Sequence, residues 1–237
     1  ENYWAQIYST INHANNIIAD VPGIADTDQA TIDQILGEAY FIRALAFFDA
    51  TRAFGGIPGE SGTLGVPIVT TPSRGIDDSS FPSRSTIQES YNQVLADLQE
   101  ASSLLSGISS PNRANEAAVK ALYSRVHLYL KNYTEAADFA TDVIEDFGLT
   151  LEQDYTSIFL DENSSGSIFE LAFNTTDGNG IRNWYFPSSL GGRGDIALHD
   201  DFANLVLSRP ADERGDLIGV DNNVGVYFPS KYGKSGG

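Results

Sequence analysis

Cysteine and methionine are both absent from this chain of 237 residues, and basic residues are scarce, with 14 Lys and Arg against 32 Asp and Glu. The absence of cysteine excludes disulfide bonds, thiolate catalysis and cysteine-ligated zinc. The resulting net charge of −18 repels phosphate backbones and anionic lipid surfaces, so we expect no nucleic-acid partner. No apolar run reaches the roughly 20 residues that a membrane-spanning helix needs.

The lack of methionine also bears on where the chain starts. A translated protein begins with methionine, whereas this sequence begins with Glu1 and has an amphipathic pattern from its first residues rather than a signal peptide. We therefore expect the sequence to begin downstream of the start of its gene.

Helical periodicity dominates residues 1–148, which we interpret as a helical scaffold. A first helix is predicted with one apolar stripe made of Trp4, Ile7, Tyr8, Ile11, Ala14, Ile17 and Ile18. A second is predicted from about residue 28 to residue 54, with its inward face made of Ile32, Ile35, Leu36, Ala39, Ile42, Leu45 and Ala46. Residues 55–84 are rich in Gly, Pro, Ser and Thr, which predicts an ordered loop on the surface.

Three further helices are predicted between residues 85 and 148. Two overlapping capping boxes, beginning at Ser85 and at Thr86, mark the start of the first of them. Asn112 is the predicted cap of the next helix, and a short turn then leads to a helix with the inward residues Tyr133, Ala136, Ala137, Ala140, Val143 and Ile144. Small alanines allow two antiparallel helices to approach closely, as in tetratricopeptide pairs.

Residues 149–237 have a different character, with half of the chain's 22 glycines in the last 64 residues. We predict an irregular, Gly-rich segment with short β-strands, one of them in the alternating stretch Ser167–Phe173. Because irregular chain on a helical scaffold often carries binding groups, we expect ligand binding in this segment.

Several motifs resemble, in their order along the chain, those of the SusD/RagB family. They are Trp4-x-x-x-Tyr8-x-x-Ile11-x-x-Ala14-Asn15, Gly37-Glu38-Ala39-Tyr40-Phe41-Ile42-Arg43-Ala44, Phe54-Gly55-Gly56-Ile57-Pro58, Gly65-Val66-Pro67, Arg84, Asp97-Leu98-x-x-Ala101, Ala117-Ala118-x-x-Ala121-Leu122-x-x-Arg125-Val126-x-Leu128-Tyr129, Tyr133-x-x-Ala136 and Ser167-Ile168-Phe169-Glu170. Each piece alone is weak, but the ordered series spans residues 4–173.

The resemblance implies a mainly α, SusD-like fold with tetratricopeptide-like helix pairs. It also implies a non-enzymatic protein that binds oligosaccharides at the extracellular face of the outer membrane and delivers them to a SusC-like TonB-dependent transporter. Such proteins are anchored through an N-terminal lipidated cysteine, which this chain lacks, as it lacks the later helical part of the family. We therefore expect one SusD-like domain that is truncated at both ends.

The candidate glycan site is an aromatic run between two Gly-rich stretches. It consists of Arg182, Asn183, Trp184, Tyr185 and Phe186. Aromatic rings stack on the apolar C–H faces of sugars while Arg and Asn bind the hydroxyl groups. An alternative is that Trp184 packs the loop onto the helices, and the sequence favours neither. Trp4 lies on the stripe of the first helix, which predicts a core residue.

Arg43 is interpreted as a structural residue that bonds carbonyls or carboxylates of neighbouring helices. The three histidines have neither metal-site nor triad spacing, and the sequence predicts no cofactor. Asp177 and Asp221 begin stretches like calcium loops, but each lacks glycine at the sixth position, so no metal site is predicted. Arg193-Gly194-Asp195 is interpreted as a chance tripeptide.

A second function remains open at this point, that of a protein-interaction scaffold without glycan binding. Tetratricopeptide-like pairs present concave grooves to peptides, and the pair around residues 133–144 is of that kind. Peptide grooves usually carry basic or asparagine side chains on their inner faces, whereas these faces are apolar and acidic.

Overall fold

The structure, a computed structural model, describes residues 2–60, 62–76, 81–107, 110–160, 162–173, 176 and 180–233. It divides into two units, Glu1–Gly148 and Leu149–Gly237. The described residues are mainly helical. They include no helix that is both long enough and apolar enough to cross a bilayer.

The first unit is built from five α-helices in its described part. Their bounds are α1 Asn2–Asp20, α2 Gln29–Phe54, α3 Ile87–Leu104, α4 Glu116–Tyr129 and α5 Tyr133–Asp146. Each helix packs against the next one along the chain. The first two match the predicted helices within a residue or two.

The second half of α2 buries a different face from the predicted one. Ile42 is 38% exposed and Leu45 is only half-buried. The inward side chains include Phe41, Ala44, Phe47, Phe48 and Thr51. The reason is that α2 lies between α1 and α3, so it buries more than one side and the single-stripe pattern fails.

A buried polar network joins three helices of the first unit. The Arg43 guanidinium on α2 donates two hydrogen bonds to the Asp97 carboxylate on α3, from Nε at 2.9 Å and from Nη2 at 2.6 Å. Its Nη1 donates to Asn15 Oδ1 on α1 at 2.8 Å. Burial raises the pKa of Asp97, and these charge-assisted bonds oppose the rise. The structural interpretation of Arg43 is confirmed.

The segment between α2 and α3 is tied to the helices rather than resting on the surface. Val66 is fully buried, and the Arg84 guanidinium donates to the carbonyls of Phe54, Leu64 and Gly65. Asn15 also donates to the carbonyl of Val69. The expectation of a surface loop is therefore wrong for its middle part, because the side chains of Asn15 on α1 and of Arg84 satisfy its backbone carbonyls.

The structure shows which residues cap α3 and α4. The sequence offered two caps for α3 and predicted the wrong one for α4. Thr86 and Glu89 form the capping box of α3: Glu89 N donates to Thr86 Oγ1, and Thr86 N donates to the Glu89 carboxylate. The cap of α4 is Asn115 rather than Asn112, since its side chain accepts the N–H of Ala118. Residues 111–114 instead form a turn and irregular chain.

The α4–α5 pair is close-packed as predicted, with different residues in the seam. Tyr123 and Phe139 stack at 4.7 Å between ring centroids, with His127 beside them. Ser124 Oγ donates to the Ala136 carbonyl at 2.7 Å. Tyr133, Ala137 and Ile144, which were expected inward, are exposed, because the pair leaves the outer face of α5 uncovered.

The second unit has short elements joined by irregular chain. In its described part they are α6 Ser157–Leu160, α7 Ile181–Tyr185, α8 Asp200–Leu207, β1 Ile218–Asp221 and β2 Val226–Pro229, with 3-10 turns at Ser188–Leu190, Glu213–Leu217 and Ser230–Tyr232. The two strands pair antiparallel, with Gly219 opposite Phe228. A Cβ at Gly219 would lie 2.3 Å from the Phe228 ring, so the pairing requires glycine there.

The predicted strand at Ser167–Phe173 is absent from the structure. Residues 167–170 are all half-buried and residues 171–173 are all exposed, so the alternating sequence is not matched by alternating burial. Ser167 N instead donates to the Ser164 carbonyl in a turn. Strand preference depends largely on packing against cross-strand and same-face neighbours, and residues 171–173 are exposed.

Candidate functional site

The candidate site is built around α7 and the loop that returns beside it. Asn183 and Trp184, both on α7, accept hydrogen bonds through their carbonyls from Arg193 N at 2.7 Å and from Ile196 N at 3.1 Å. The chain reverses between them through the 3-10 turn at Ser188–Leu190 and Gly191, whose φ is +79°. These bonds fix the returning loop against the helix.

Phe186 packs α7 and its returning loop against strand β2. Its ring is 8% exposed and contacts the Phe228 ring of β2 edge to face at 5.0 Å. The Arg182 guanidinium lies 4.4 Å from the Phe186 ring centroid and donates to the carbonyls of Leu190 and Gly233. Phe186 and Arg182 therefore hold the loop in place, and the buried ring supports the site rather than lining it.

Gly192 is required by the same anchor. A Cβ at this position would lie 2.0 Å from the Phe186 carbonyl oxygen and 2.8 Å from the Phe186 Cβ. The backbone of the returning loop passes too close to Phe186 for any side chain.

Trp184 presents the accessible aromatic surface of the site. Its side chain is 45% exposed, and the Arg193 guanidinium lies 4.7 Å from its ring centroid. Arg193 is in turn held by Asp195, at 2.9 Å between Nη2 and Oδ2. The cation over the ring restrains its orientation, so the indole is held in place without being buried.

The remaining two candidate residues flank the indole along α7. Asn183 is exposed, and its side chain can reach a ligand. Tyr185 is half-buried and stacks on Tyr232 at 4.6 Å between ring centroids. The structure thus exposes the indole and the amide and half-exposes the phenol, which are groups that bind sugars.

Sequence reasoning missed Arg193 and Asp195 as parts of this site. Gly194 has a φ of +68°, and the turn places the Asp195 carboxylate 2.9 Å from the Arg193 guanidinium. The sequence did contain a signal: two residues of opposite charge, Arg193 and Asp195, flank a glycine shortly after Trp184.

The other candidate groups of the sequence have structural positions. Asp221 is buried, and its carboxylate accepts from the Ser189 hydroxyl at 2.7 Å and from Asn223 N at 3.0 Å, so it stabilises the β1–β2 turn. Asp177 lies outside the described residues. Within the described ranges, no cluster of three or more His, Cys, Asp or Glu side chains could hold a metal ion.

Trp4 is more buried than Trp184 and packs against aromatic rings of the first unit. Trp4 is half-buried on α1 and lies against Tyr8 at 4.6 Å and Phe54 at 4.9 Å between ring centroids. It belongs to the aromatic packing of the first unit, at its edge rather than in its centre.

Comparisons with known proteins agree with the fold. Residues 1–128 match the SusD-like family model described as "Starch-binding associating with outer membrane". The chain is 34% identical over 162 residues to SusD-like protein P38 of Formosa agariphila, which is 67% of this chain and 30% of that protein. A solved SusD superfamily protein of Bacteroides thetaiotaomicron superposes with a TM-score of 0.80 at 32% identity, covering 96% of this chain and 55% of that one.

A laminarin-binding SusD-like protein shares the fold, with a TM-score of 0.74 at 20% identity over 97% of this chain and 58% of that one. The chain spans about a third of the length of the curated relatives and about half of the solved chains. Both the predicted fold class and the resemblance are confirmed: the chain belongs to the SusD-like family.

Proposed function

We propose that this chain is part of a surface glycan-binding protein that captures oligosaccharides at the outer membrane without chemical conversion. In this proposal the whole protein is lipid-anchored at the extracellular face and delivers its ligand to a SusC-like TonB-dependent transporter. Family membership over residues 1–128 supports the general function.

The observation that carries the glycan proposal is the exposed, restrained indole of Trp184. Burying an aromatic face against a sugar ring gains most when the ring is already held in place, because little side-chain freedom is then lost. Arg193 provides that restraint. Asn183 lies next to Trp184 and is exposed, so its amide is available to sugar hydroxyl groups.

The charge of the chain narrows the class of ligand. A net charge of −18 raises the electrostatic cost of binding a polyanion, whereas a neutral polysaccharide feels no such repulsion. Starch, named in the description of the family, and laminarin, named for one structural relative, are both neutral glucans and serve as first probes.

Replacing each of the two tryptophans tests the site. We expect Trp184→Ala to weaken binding of the bound glucan by about 1–3 kcal/mol, the scale of one lost stacking platform, with little loss of stability. Trp4→Ala is the matched control, since it removes packing from the first unit and should leave affinity unchanged. Calorimetric titration with maltoheptaose and laminariheptaose, with thermal melts of each variant, measures both quantities.

One result would contradict the site, and another would contradict capture without chemical conversion. If Trp184 mainly packs its own loop, Trp184→Ala should cost about 3–5 kcal/mol of stability and leave the affinity of the folded fraction intact. If the sugar is released shortened or rearranged after incubation, capture without chemistry is wrong.

The transporter partner requires a separate experiment. The whole protein, expressed with a co-encoded SusC-like transporter in outer membranes, should co-purify with it after gentle detergent extraction. Recovery of soluble peptide partners instead, with no transporter, would favour the interaction-scaffold alternative.

A further inference from the structure

A wide cavity with several charged residues in its walls lies in the second unit, away from α7 in sequence. It has a volume of about 520 Å³ and opens widely to solvent. Its walls are Tyr155, Arg209, Ala211, Asp212, Glu213 and Arg214. They come from the chain after α8, from the 3-10 turn at Glu213–Leu217 and from the segment before α6.

One wall of this cavity is held rigid by local bonds. The Asp212 carboxylate accepts two hydrogen bonds from the Arg214 guanidinium, at 2.8 and 2.5 Å, and one from Arg214 N at 3.2 Å. Asp212 N donates to the Arg209 carbonyl at 2.8 Å. Hydrogen bonding from Arg214 holds the pKa of Asp212 below its usual range, so this pair stays ionised and fixed.

Two other charged side chains line the cavity, Arg209 and Glu213. Among the described residues, Arg209 has no carboxylate partner within 4 Å, and Glu213 has no cationic partner within that distance. Both side chains are exposed, which leaves guanidinium donors and carboxylate acceptors available side by side. The two cations and two anions cancel, so the lining suits an uncharged ligand with many hydroxyl groups rather than an ion.

Tyr155 adds a half-exposed aromatic ring to these groups. It is also the end of a continuous series of aromatic and cationic contacts. Tyr155 meets Phe159 at 5.4 Å, the Lys231 ammonium lies 5.3 Å from the Phe159 ring and 5.0 Å from the Tyr232 ring, and Tyr232 stacks on Tyr185 at 4.6 Å. The series therefore links the cavity to the residue beside Trp184.

We propose that the Tyr155–Arg209–Glu213 cavity is a second sugar-binding subsite, for a neutral hexose unit of a glycan chain whose other end stacks on Trp184. Tyr155 provides the ring surface, Arg209 donates to hydroxyl oxygens and Glu213 accepts from hydroxyl groups. The inference rests on the proposed glycan-binding function and assigns a further part of its ligand.

The test uses variants on the cavity wall in the full chain. Arg209→Ala and Tyr155→Ala should each raise the Kd of whichever heptasaccharide binds, maltoheptaose or laminariheptaose, by about tenfold. Tyr155→Phe keeps the ring and should stay within about threefold of the unchanged chain. Asp216→Asn, on the same 3-10 turn but outside the cavity, is the matched control and should have no effect.

The outcomes separate this inference from the proposed function. A heptasaccharide that loses affinity on Trp184→Ala but not on Arg209→Ala or Tyr155→Ala overturns the second subsite and leaves the first intact. Absence of binding to both heptasaccharides by the unchanged chain overturns both. Since Arg209 is exposed and makes no ion pair, Arg209→Ala should melt at the same temperature as the unchanged chain, and its affinity is a measure of the cavity alone.

Discussion

At the residue scale, two arginines show how the same side chain serves different purposes. Arg43 is buried and makes bidentate bonds to Asp97 together with a bond to Asn15. Arg193 is exposed and lies over an indole. The first position was predictable, since an arginine in the middle of a helix within a family motif usually serves packing. The second was not, because its partner Trp184 comes close only through the turn at Ser188–Leu190.

The buried pair gives the sharpest stability prediction. Arg43→Ala should destabilise the first unit by about 3–5 kcal/mol, because it leaves the Asp97 carboxylate buried without its partner. Arg113→Ala removes the exposed bidentate pair with Glu38 and should cost less than about 1 kcal/mol. Urea denaturation of the two variants measures the difference. Equal losses would show that burial of Asp97 is not what makes Arg43 important.

At the element scale, the helices of the first unit were predictable and their faces only partly so. A single stripe describes most of α1, where Ile7, Ile11 and Ala14 are buried, but Ile17, which was expected on the stripe, is exposed. It fails on α2, which has neighbours on more than one side. The strand expected at Ser167–Phe173 fails for a related reason: alternation in sequence predicts a strand only if tertiary packing covers one face.

The close approach of α2 to α3 yields a second prediction. Alanine normally favours a helix over glycine by roughly 1 kcal/mol. A Cβ at Gly37 would, however, lie 2.6 Å from Leu105 Cγ, and Leu105 is fully buried. We therefore expect Gly37→Ala to destabilise the chain by about 1–3 kcal/mol.

Gly23→Ala is the control for this change, since a Cβ there meets nothing within 4 Å. Its melting temperature should equal or exceed that of the unchanged chain. A Gly37→Ala variant that melts as high as the control would show that Leu105 can move aside at no cost.

The start of α3 gives a third prediction, on which of two capping boxes operates. Thr86→Ala should cost about 1 kcal/mol of stability, whereas Ser85→Ala should cost little, because only Thr86 caps the helix.

The hydrogen bonds from Thr86 to Glu89 also lower the pKa of Glu89. A lowered carboxylate pKa adds stability at neutral pH that is lost as the pH falls through the folded-state pKa. The stability difference between the unchanged chain and Glu89→Gln should therefore shrink on acidification, as urea denaturation at several pH values would measure; a difference that grows would contradict the cap.

At the scale of the whole molecule, the family match and the candidate site lie in different units. The family match lies in the first unit, over residues 1–128, whereas the candidate site lies in the second. Most of the motifs that predicted the family and the helical fold lie in the first unit, which carries none of the proposed ligand contacts. The aromatic run at Arg182–Phe186 was predictable as a site only by composition. Which of its rings is open depends on the packing of Phe186 against Phe228, which the sequence does not reveal.

The two tryptophans permit one measurement that tests the central claim most directly. Because the chain has only Trp4 and Trp184, Trp4→Phe and Trp184→Phe each leave a single fluorescent indole, one in each unit. Titrating both variants with maltoheptaose and laminariheptaose shows which indole responds to glycan. We predict a saturable change in emission from Trp184 in the Trp4→Phe variant and a flat signal from Trp4 in the Trp184→Phe variant. A saturable response from Trp4 alone, or no response from either indole, would contradict the proposal that Trp184 binds glycan.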